Sequence, residues 1–214
     1  MSGAAGPPAT SAARALRADR GHETRGLLLD AAARVFARLG YARTTIADIA
    51  ADSAVSRPTF YLYFRTKSDV FREVAARVRD EFIAGHEIPD VDAGDPYALG
   101  RASSAAFLAA FAANSELLTV IEHQAITDDV IREIWLEIQQ RPARRVARYV
   151  ARLADEGKAD PAATPAVVAE AIVGMFARIA RRAPSDQQGF DDLVDELTAI
   201  YLRLIGVGDR PGSA

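Results

Sequence analysis

Residues suited to hydrogen bonding, rather than to bond cleavage, are concentrated in one short stretch of the chain. Residues 45–67 read TIADIAADSAVSRPTFYLYFRTK, and their polar groups include hydroxyls, phenols, guanidiniums and an ammonium. Such groups bind phosphate oxygens and the edges of nucleic-acid bases. The candidate binding residues in this stretch are Thr45, Ser56, Arg57, Pro58, Thr59, Tyr61, Tyr63 and Lys67.

Catalytic and metal-binding patterns are missing from the sequence. The three histidines, His22, His86 and His123, are far apart, and none belongs to a metal-binding pair such as HExxH. The chain has no cysteine, and no GxSxG segment that would present a nucleophilic serine. The sequence therefore predicts no metal, no cofactor and no enzymatic activity.

The polar stretch is predicted to form two short helices joined by a tight turn. Thr45 and Asp48 have the spacing of a capping box, and Ile46 begins an apolar stripe at helical intervals. Ser56 can cap a second helix, and Pro58 falls in its first turn, where a missing N–H is harmless. This is the helix-turn-helix arrangement, in which the second helix enters the major groove of DNA.

The segment from Thr24 to about Arg77 resembles the DNA-binding domain of the TetR family of bacterial transcriptional regulators. One departure is visible, because the family usually has glycine in the turn where this chain has Ala54. A positive φ is therefore not guaranteed there. The matching residues are Ala31, Ala32, Phe36, Gly40, Tyr41, Thr44, Thr45, Ile46, Ile49, Ala50, Val55, Ser56, Thr59, Phe60, Tyr61, Leu62, Tyr63, Phe64 and Lys67.

This resemblance assigns roles within the DNA-binding stretch. Lys67 and Tyr61 are expected to contact phosphates, and Thr45 could offer its hydroxyl and backbone N–H to another phosphate. Arg57 could pair with a guanine or grip the phosphate backbone, and both alternatives are open. Pro58 and the Thr59 methyl group could touch thymine methyl groups.

Charge and composition agree with a cytoplasmic DNA-binding protein. The 214 residues carry a net charge of −3, but residues 1–79 have a net charge of +6 and the remainder −9. A basic end and an acidic remainder suit a protein that meets DNA at one end. The lack of cysteine favours a reducing compartment, and we expect neither a signal peptide nor a membrane-spanning run of about 18 apolar residues.

The chain is predicted to be all-α, with about nine helices. Residues 1–20 are expected to form a disordered tail, which is either simply solvated or an arm that reaches DNA. Residues 21–66 form the helix-turn-helix domain, residues 67–206 a helical ligand-binding and dimerisation domain, and residues 207–214 a loose tail. Separate helices are expected at 97–113 and 115–125, and Pro142 should kink or split the next helical stretch.

The last two predicted helices, at 164–182 and 191–205, are too apolar for one small domain to cover both. The surplus apolar surface predicts an interface with a second copy. The resemblance implies that these helices form a four-helix bundle in a two-fold dimer, which binds a palindromic operator. The expected interface residues are Val168, Ile172, Leu197, Ile200, Tyr201 and Leu204.

Aromatic residues of the second domain form either ordinary core or the apolar inducer pocket that the resemblance implies. They are Phe107, Phe111, Trp135, Tyr149 and Phe176. The string SRPTFYLYF is similar to that of the EthR-like subgroup, whose pocket is a long apolar tube. That similarity adds Gln139 and Val173 to the expected ligand contacts.

Together, these features predict a dimeric one-component transcriptional repressor that a small, largely apolar ligand releases from its operator. A DNA-binding protein of the same fold without an inducer is one alternative. A helical enzyme or scaffold that has lost DNA binding is another. The operator, the regulated genes, the inducer and the sign of regulation are not encoded in recognisable motifs.

Overall fold

A computed structural model describes residues 9–85, 94–184 and 186–207, with side chains from Gly21 onward. The predicted features at residues 1–8, 88–93 and 208–214 lie outside this part of the chain. The described residues form eight helices and no strands, so the all-α prediction is confirmed. The helices are α1 (Ala9–Arg43), α2 (Ile46–Ser53), α3 (Arg57–Tyr63), α4 (Lys67–Ala84), α5 (Pro96–Gln124), α6 (Asp129–Asp155), α7 (Pro165–Ala180) and α8 (Gln187–Ile205).

Helix α1 begins at Ala9, so the prediction of a disordered tail was wrong for residues 9–20. This segment is rich in alanine and arginine, which are strong helix formers, and it lacks proline and glycine. The low hydrophobicity that suggested disorder was therefore outweighed by helix propensity. The regular helix breaks at Gly40 (φ 73°, ψ 166°), although helical turns resume as far as Arg43.

The chain divides into two compact units, Met1–Ala75 and Ala76–Ala214. The predicted domain boundary lay at the start of α4, whereas the division falls inside that helix. In the first unit, the Tyr41 ring stacks at 5.9 Å on Phe36 and lies edge-on at 5.0 Å to Phe71. Phe60 and Phe64 of the α3 region are also buried, with ring centroids 5.6 Å apart.

The α2–α3 turn depends on local hydrogen bonds that the sequence predicted. The Thr45 hydroxyl accepts from the Asp48 N–H, and the Asp48 carboxylate accepts from the Thr45 N–H, which completes the capping box. Ser56 caps α3 by accepting from the Thr59 N–H at 3.3 Å. Ala54 ends α2 in the left-handed conformation (φ 55°, ψ 20°), so the turn forms without glycine.

In the second unit, α5 is one helix where two were predicted. Asn114 and Ser115 suggested a break, but neither polar residue interrupts the helix. The Asn114 amide donates to the Ala110 carbonyl at 3.0 Å, and the Ser115 carbonyl accepts from the Thr119 hydroxyl at 3.0 Å. The Asn114 amide and the Thr119 hydroxyl thus bond to carbonyls one turn earlier on the same helix, an arrangement that α5 accommodates without ending.

Helix α6 likewise continues through Pro142 without splitting. Proline has no N–H, so the carbonyl of Ile138, four residues earlier, lacks its usual donor at this turn. Both Ile138 and Pro142 are buried. Helices α6 and α7 pack against each other, as do α5 and α8, and these contacts enclose the core of the second unit.

Helix α5 is long and apolar enough to cross a membrane by length and composition alone, with a mean hydropathy of 1.5. Its longest uninterrupted apolar run is the short stretch 105–113, so the helix contains no run of about 18 apolar residues, as predicted. Its many alanines raise the mean hydropathy without large side chains. Within the second unit, α5 packs against α6, α7 and α8, with Phe107, Leu108 and Phe111 buried, so it has the environment of a core helix.

The C-terminal end of α8 is joined to the loop that follows α6. The Asp160 N–H donates to the Gly206 carbonyl at 2.9 Å, and the Ala162 N–H donates to the Leu204 carbonyl at 3.1 Å. Gly206 caps α8 in the left-handed conformation (φ 71°), and an added Cβ would lie 1.7 Å from the Asp160 carbonyl oxygen. Only glycine allows this approach.

Candidate functional site

Helix α3 presents an exposed surface opposite its buried phenylalanines. Arg57 and Pro58 are exposed at its first turn, and Thr59 is half-buried beside them. Further along the helix, Tyr61 is 49% exposed. The structure therefore brings the predicted base-reading residues to one end of α3 and keeps them accessible.

Arg57 has no hydrogen bond or ion pair within the described part of the chain, so its guanidinium is available for bidentate bonding to a base or a phosphate. The hydroxyls of Ser56 and Thr59, by contrast, share a hydrogen bond of 2.8 Å. This bond orients the Thr59 side chain at the start of α3. Tyr63 is half-buried at the other end of the helix.

Lys67 is already engaged with the end of α1. Its ammonium donates to the carbonyls of Tyr41 at 2.8 Å, Thr44 at 2.9 Å and Ala42 at 3.4 Å. The same ammonium lies 4.4 Å from the centroid of the Tyr41 ring. An ammonium has three donors, and all three have internal acceptors here. Lys67 thus fixes the residues that lead into α2, and a phosphate contact would require it to leave these carbonyls.

Thr45 is similarly occupied by its capping box. Its hydroxyl donates to the Asp48 carboxylate at 2.6 Å, and its N–H donates to the same oxygen at 2.9 Å. These hydrogen bonds, with a smaller contribution from Arg38, hold the pKa of Asp48 below its usual value. The expectation that both groups of Thr45 are offered to a phosphate does not match this geometry, because both serve the carboxylate.

Two exposed residues near α3 were not predicted. Arg65 follows the helix, is exposed and has no ion pair or hydrogen bond in the part of the chain that the structure describes. Leu62 is 81% exposed on α3 itself. Arg65 could have been found from its place between the recognition helix and α4. Leu62 had no such signal, because a leucine in a short amphipathic helix usually packs inward.

Part of the basic charge of the first unit is neutralised internally. Asp52 pairs with Arg34 at 2.8 Å and with Arg38 at 3.8 Å. Arg25 pairs with Glu73. Fewer arginines of the first unit are therefore available to bind DNA than its net positive charge suggests.

The second unit contains a cavity of about 290 Å³. Its inner wall is apolar and buried, with Phe107, Phe111 and Ile138, and its lone tryptophan, Trp135, is half-buried. Gln139 lies exposed at the edge. The complete lining is Phe82, Phe107, Phe111, Leu118, Glu122, Trp135, Ile138, Gln139, Val173, Gly174, Ala177, Arg178 and Arg181.

Five of the seven predicted pocket residues line this cavity: Phe107, Phe111, Trp135, Gln139 and Val173. Phe176 instead lines a smaller cavity of about 30 Å³, which also includes Phe107 and Val173. Tyr149 lines neither of these two cavities, although it was predicted to contact the ligand. Its ring instead lies 5.2 Å from the guanidinium of Arg152 on the same helix.

The cavity wall also includes residues that the sequence patterns did not indicate. Phe82 comes from α4 and meets Phe107 edge-on at 5.7 Å. At the edge, Arg181 donates to Glu122 at 3.0 Å and lies 5.6 Å from the ring of Phe111. These contacts join residues far apart in the chain, which helical periodicity cannot pair.

The predicted dimer residues are mostly enclosed by their own chain. Val168, Ile172, Leu197 and Tyr201 are each at most 5% exposed. The prediction was wrong for these four, because α5 and α6 cover the apolar sides of α7 and α8. Ile200 is 39% exposed and Leu204 half-buried. A further apolar residue, Val167, is 59% exposed on α7.

A groove of about 440 Å³ lies where the C-terminal end of α7 meets the N-terminal half of α8. Arginines from α7 and its C-terminal end line it, and carboxylates from α8 lie among them. These residues are Arg178, Arg182, Asp192 and Glu196. Among the residues that the structure describes, no group of three His, Asp or Glu side chains could hold a metal ion.

Fold and site together define an all-helical protein with a helix-turn-helix unit and a second unit containing a cavity. Residues 28–74 match the family of bacterial regulatory proteins described as the tetR family. Residues 28–74 thus form a DNA-binding domain of the tetR-family type, as the sequence predicted. The family consists of transcription regulators, which confirms the prediction that the chain is not an enzyme.

Similarity to individual proteins is concentrated in the first unit. The chain is 34% identical over 82 residues to the transcriptional repressor ComR of Escherichia coli, which is 37% of this chain and 39% of ComR. It is 40% identical over 52 residues to the transcriptional regulator AcrR of Shigella flexneri, or 24% of each chain. The matches thus span well under half of either relative.

The fold extends beyond these matches. A crystal structure of a tetR-family regulatory protein from Rhodococcus RHA1 superposes with a TM-score of 0.70 at 20% identity. The superposition covers 87% of this chain and 98% of the Rhodococcus chain. At this level of identity, the comparison shows a shared fold for the second unit.

Proposed function

We propose that this protein is a dimeric, one-component transcriptional repressor that binds a palindromic operator and is released by a small, largely apolar ligand. The observation that carries the DNA-binding part is the accessible, unpaired Arg57 at the start of a helix-turn-helix recognition helix. Arg57 is well placed to read a guanine in each half-site. Arg65 and Tyr61 supply sequence-independent contacts to phosphate.

Selection of bound duplexes from a random pool tests this part of the proposal. We expect an enriched inverted repeat whose affinity falls steeply with salt, because phosphate contacts release counterions. Enrichment of a single half-site would contradict the dimeric mode, and no enrichment would contradict sequence-specific binding.

We place the dimer interface on the exposed surface of α7 and α8. Val167 and Ile200 provide apolar contacts there. In a two-fold dimer, each contact occurs twice, so the arginines of one groove can meet the carboxylates of its partner. This charge pattern complements itself and supports association of identical chains.

Replacing both Val167 and Ile200 with Asp tests the interface without touching the core. We expect a monomer at micromolar concentration and a loss of cooperative operator binding, with little change in unfolding temperature of the separate chain. The matched control is Ala199→Asp, which adds the same charge at an exposed position of α8 and should leave the dimer intact. A double variant that stays dimeric would locate the interface elsewhere.

The 290 Å³ cavity is the proposed effector site. Its volume is near the lower end of the usual range for small-molecule pockets, and its aromatic floor suits an apolar body. Phe82 in its wall belongs to α4, a helix that begins at Lys67 in the DNA-binding unit. A ligand that favours one position of Phe82 can therefore shift a helix shared with that unit, provided it binds the two states differently.

Gly174 offers a direct test of this site. An added Cβ at Gly174 would meet nothing within 4 Å, so a larger side chain can be accommodated on α7 and project toward the cavity that Gly174 lines. We expect Gly174→Phe to abolish ligand-induced changes in Trp135 fluorescence while operator binding persists. Gly174→Ala should retain the ligand response. A ligand that releases DNA equally from Gly174→Phe would act elsewhere, and a protein released by no apolar ligand would be the inducer-free alternative.

A further inference from the structure

The open edge of the proposed effector cavity carries charged side chains, whereas its floor is apolar. Glu122 of α5 lines this edge together with Arg178 and Arg181 at the C-terminal end of α7. Both arginines are exposed, and Glu122 is half-buried. These three residues form the mouth of the cavity. Two guanidiniums against one carboxylate give the mouth a net positive charge.

Arg181 and Glu122 already satisfy each other. The Arg181 guanidinium donates to the Glu122 carboxylate at 3.0 Å and to the Thr119 hydroxyl at 3.4 Å. It also lies 5.6 Å from the centroid of the Phe111 ring in the cavity floor. A guanidinium held by a carboxylate, a hydroxyl and a ring has a defined position and a compensated charge. The uncompensated positive charge of the mouth therefore belongs to Arg178.

Arg178 has no hydrogen bond or ion pair with any residue that the structure describes. It lines both the effector cavity and the groove between α7 and α8, where Asp192 and Glu196 lie, and it pairs with neither carboxylate. A guanidinium stays charged at every physiological pH, only donates hydrogen bonds, and matches a carboxylate with two parallel N–H groups. The mouth thus offers a free cation to a group that enters the cavity.

Helix geometry directs the Arg178 side chain over the cavity. Side chains of an α-helix lean toward its N-terminus and cover the preceding turn. One turn before Arg178 is Gly174, where an added Cβ would meet nothing within 4 Å. Both residues line the cavity, as does Ala177 between them. Because Gly174 leaves that space empty, the Arg178 stem can lie across it with its guanidinium at the mouth.

A cation in the last turn of a helix also suits the helix dipole. Arg182, just beyond the end of α7, has the same dipole to complement. It lines the groove between α7 and α8 but is not part of the effector cavity lining. The dipole alone therefore does not account for the place of Arg178 in the cavity wall, and Arg182 supplies a matched control at the same helix end.

We propose that Arg178 binds a carboxylate of the effector at the mouth, while the apolar body of the effector lies on the aromatic floor. This inference rests on the proposed effector site and adds the chemical class of its ligand, an apolar body with one carboxylate. The carboxylate remains at the exposed edge, so it keeps part of its hydration and avoids most of the cost of burying a charge.

Phenylbutyrate and phenylbutylammonium test this assignment, because they share an aromatic body and carry opposite charges at neutral pH. Binding to the full-length protein without DNA is followed by the emission of Trp135, which lines the cavity. We expect phenylbutyrate to bind at least about fivefold more tightly, as for an exposed ion pair. The preference should shrink as the salt concentration is raised, because the mouth is open to solvent. Equal or tighter binding of phenylbutylammonium would overturn the inference.

Arg178→Gln removes the charge at an exposed position and should not impair folding. We expect phenylbutyrate affinity to fall about fivefold while phenylbutylammonium loses no affinity. Arg182→Gln removes the same charge outside the cavity and should leave phenylbutyrate affinity unchanged. Because both arginines line the groove between α7 and α8, an effect transmitted through that surface would appear in both variants. An equal loss in both, or no loss in Arg178→Gln, would contradict the role of Arg178.

Glu122→Gln should have the opposite effect on the same probe. It removes the negative charge of the mouth and releases Arg181 from its carboxylate partner. We expect phenylbutyrate affinity to rise about twofold to threefold. A lower affinity would show that the charge of the mouth does not select the ligand.

The outcomes separate this inference from the proposed function. If phenylbutyrate binds and releases the selected operator but Arg178→Gln keeps full affinity, the effector site stands and only the present inference fails. If neither probe changes Trp135 emission or operator binding in the unmodified protein, the effector site and this inference fail together.

Discussion

The internal contacts of Lys67 allow its role to be separated from that of a phosphate-binding cation. Lys67→Met keeps most of the alkyl stem and removes the ammonium. Two of its hydrogen bonds to carbonyls are of ordinary length, at 2.8 and 2.9 Å, and the third is long at 3.4 Å. Hydrogen bonds from a charged donor contribute about 1.5–3 kcal/mol each, but this lysine is half-exposed and water can replace part of that. Including about 0.5–1 kcal/mol from Tyr41, the expected loss is about 2–3 kcal/mol in the free energy of unfolding.

The DNA assay supplies the second half of this prediction. Operator affinity of Lys67→Met is expected to fall, because the residues leading into α2 lose their anchor. The slope of log affinity against log salt concentration should change little, because the Lys67 ammonium does not contact a DNA phosphate. Arg65→Ala is the matched comparison. It should leave stability within about 0.5 kcal/mol and lower the salt slope by about 0.9 per subunit.

Urea unfolding and fluorescence anisotropy across a salt series measure both quantities on the same samples. The reasoning is refuted if Lys67→Met keeps full stability and loses about one unit of salt slope per subunit. The ammonium would then leave the carbonyls of Tyr41 and Thr44 when DNA binds.

Three further substitutions test the turn, the end of α8 and base reading. Ala54→Gly should stabilise the protein by about 0.5–1 kcal/mol, because relief of left-handed strain exceeds the entropy cost of glycine, whereas Ala51→Gly within α2 should destabilise it. Gly206→Ala should lower the free energy of unfolding by about 3 kcal/mol, through its left-handed φ and the lost hydrogen bonds to the 160–162 loop. Gly157→Ala is the control, because it has φ 67° and open space around it, and it should cost only about 1 kcal/mol. Equal costs would contradict the clash between the added Cβ at residue 206 and Asp160. Arg57→Ala should weaken cognate operator by about 1–3 kcal/mol per half-site and relax selectivity at one base pair. Equal weakening of scrambled duplex would make Arg57 a phosphate contact.

Features that depend on neighbours along the chain were predicted well from the sequence. The predicted capping box of Thr45 and Asp48 involves residues three apart, and it forms. Gly40 breaks its helix because glycine, which has no Cβ, adopts a positive φ without steric cost. The resemblance to the family's DNA-binding domain also identified the recognition helix.

Features that depend on packing between distant helices were not predictable in the same way. An apolar stripe on α8 shows that one side of the helix must be buried, but not whether α5 of the same chain or a second chain buries it. Leu197 and Tyr201 were therefore assigned to a dimer interface although their own chain encloses them. The acceptors of Lys67 lie 23 to 26 residues earlier in the chain, and no local pattern connects them.

The proline within α6 has a mechanical consequence for the cavities. Pro142 lines the smaller cavity, and Ile138, whose carbonyl lacks its usual donor four residues on, lines the larger one. A helix resists bending mainly through its ladder of hydrogen bonds, and the missing rung here falls between the two spaces. Helix α6 is therefore easiest to bend between Ile138 and Pro142, where it passes from one cavity to the other. This part of the wall can yield to ligands of slightly different width without breaking the hydrogen bond that proline has already removed.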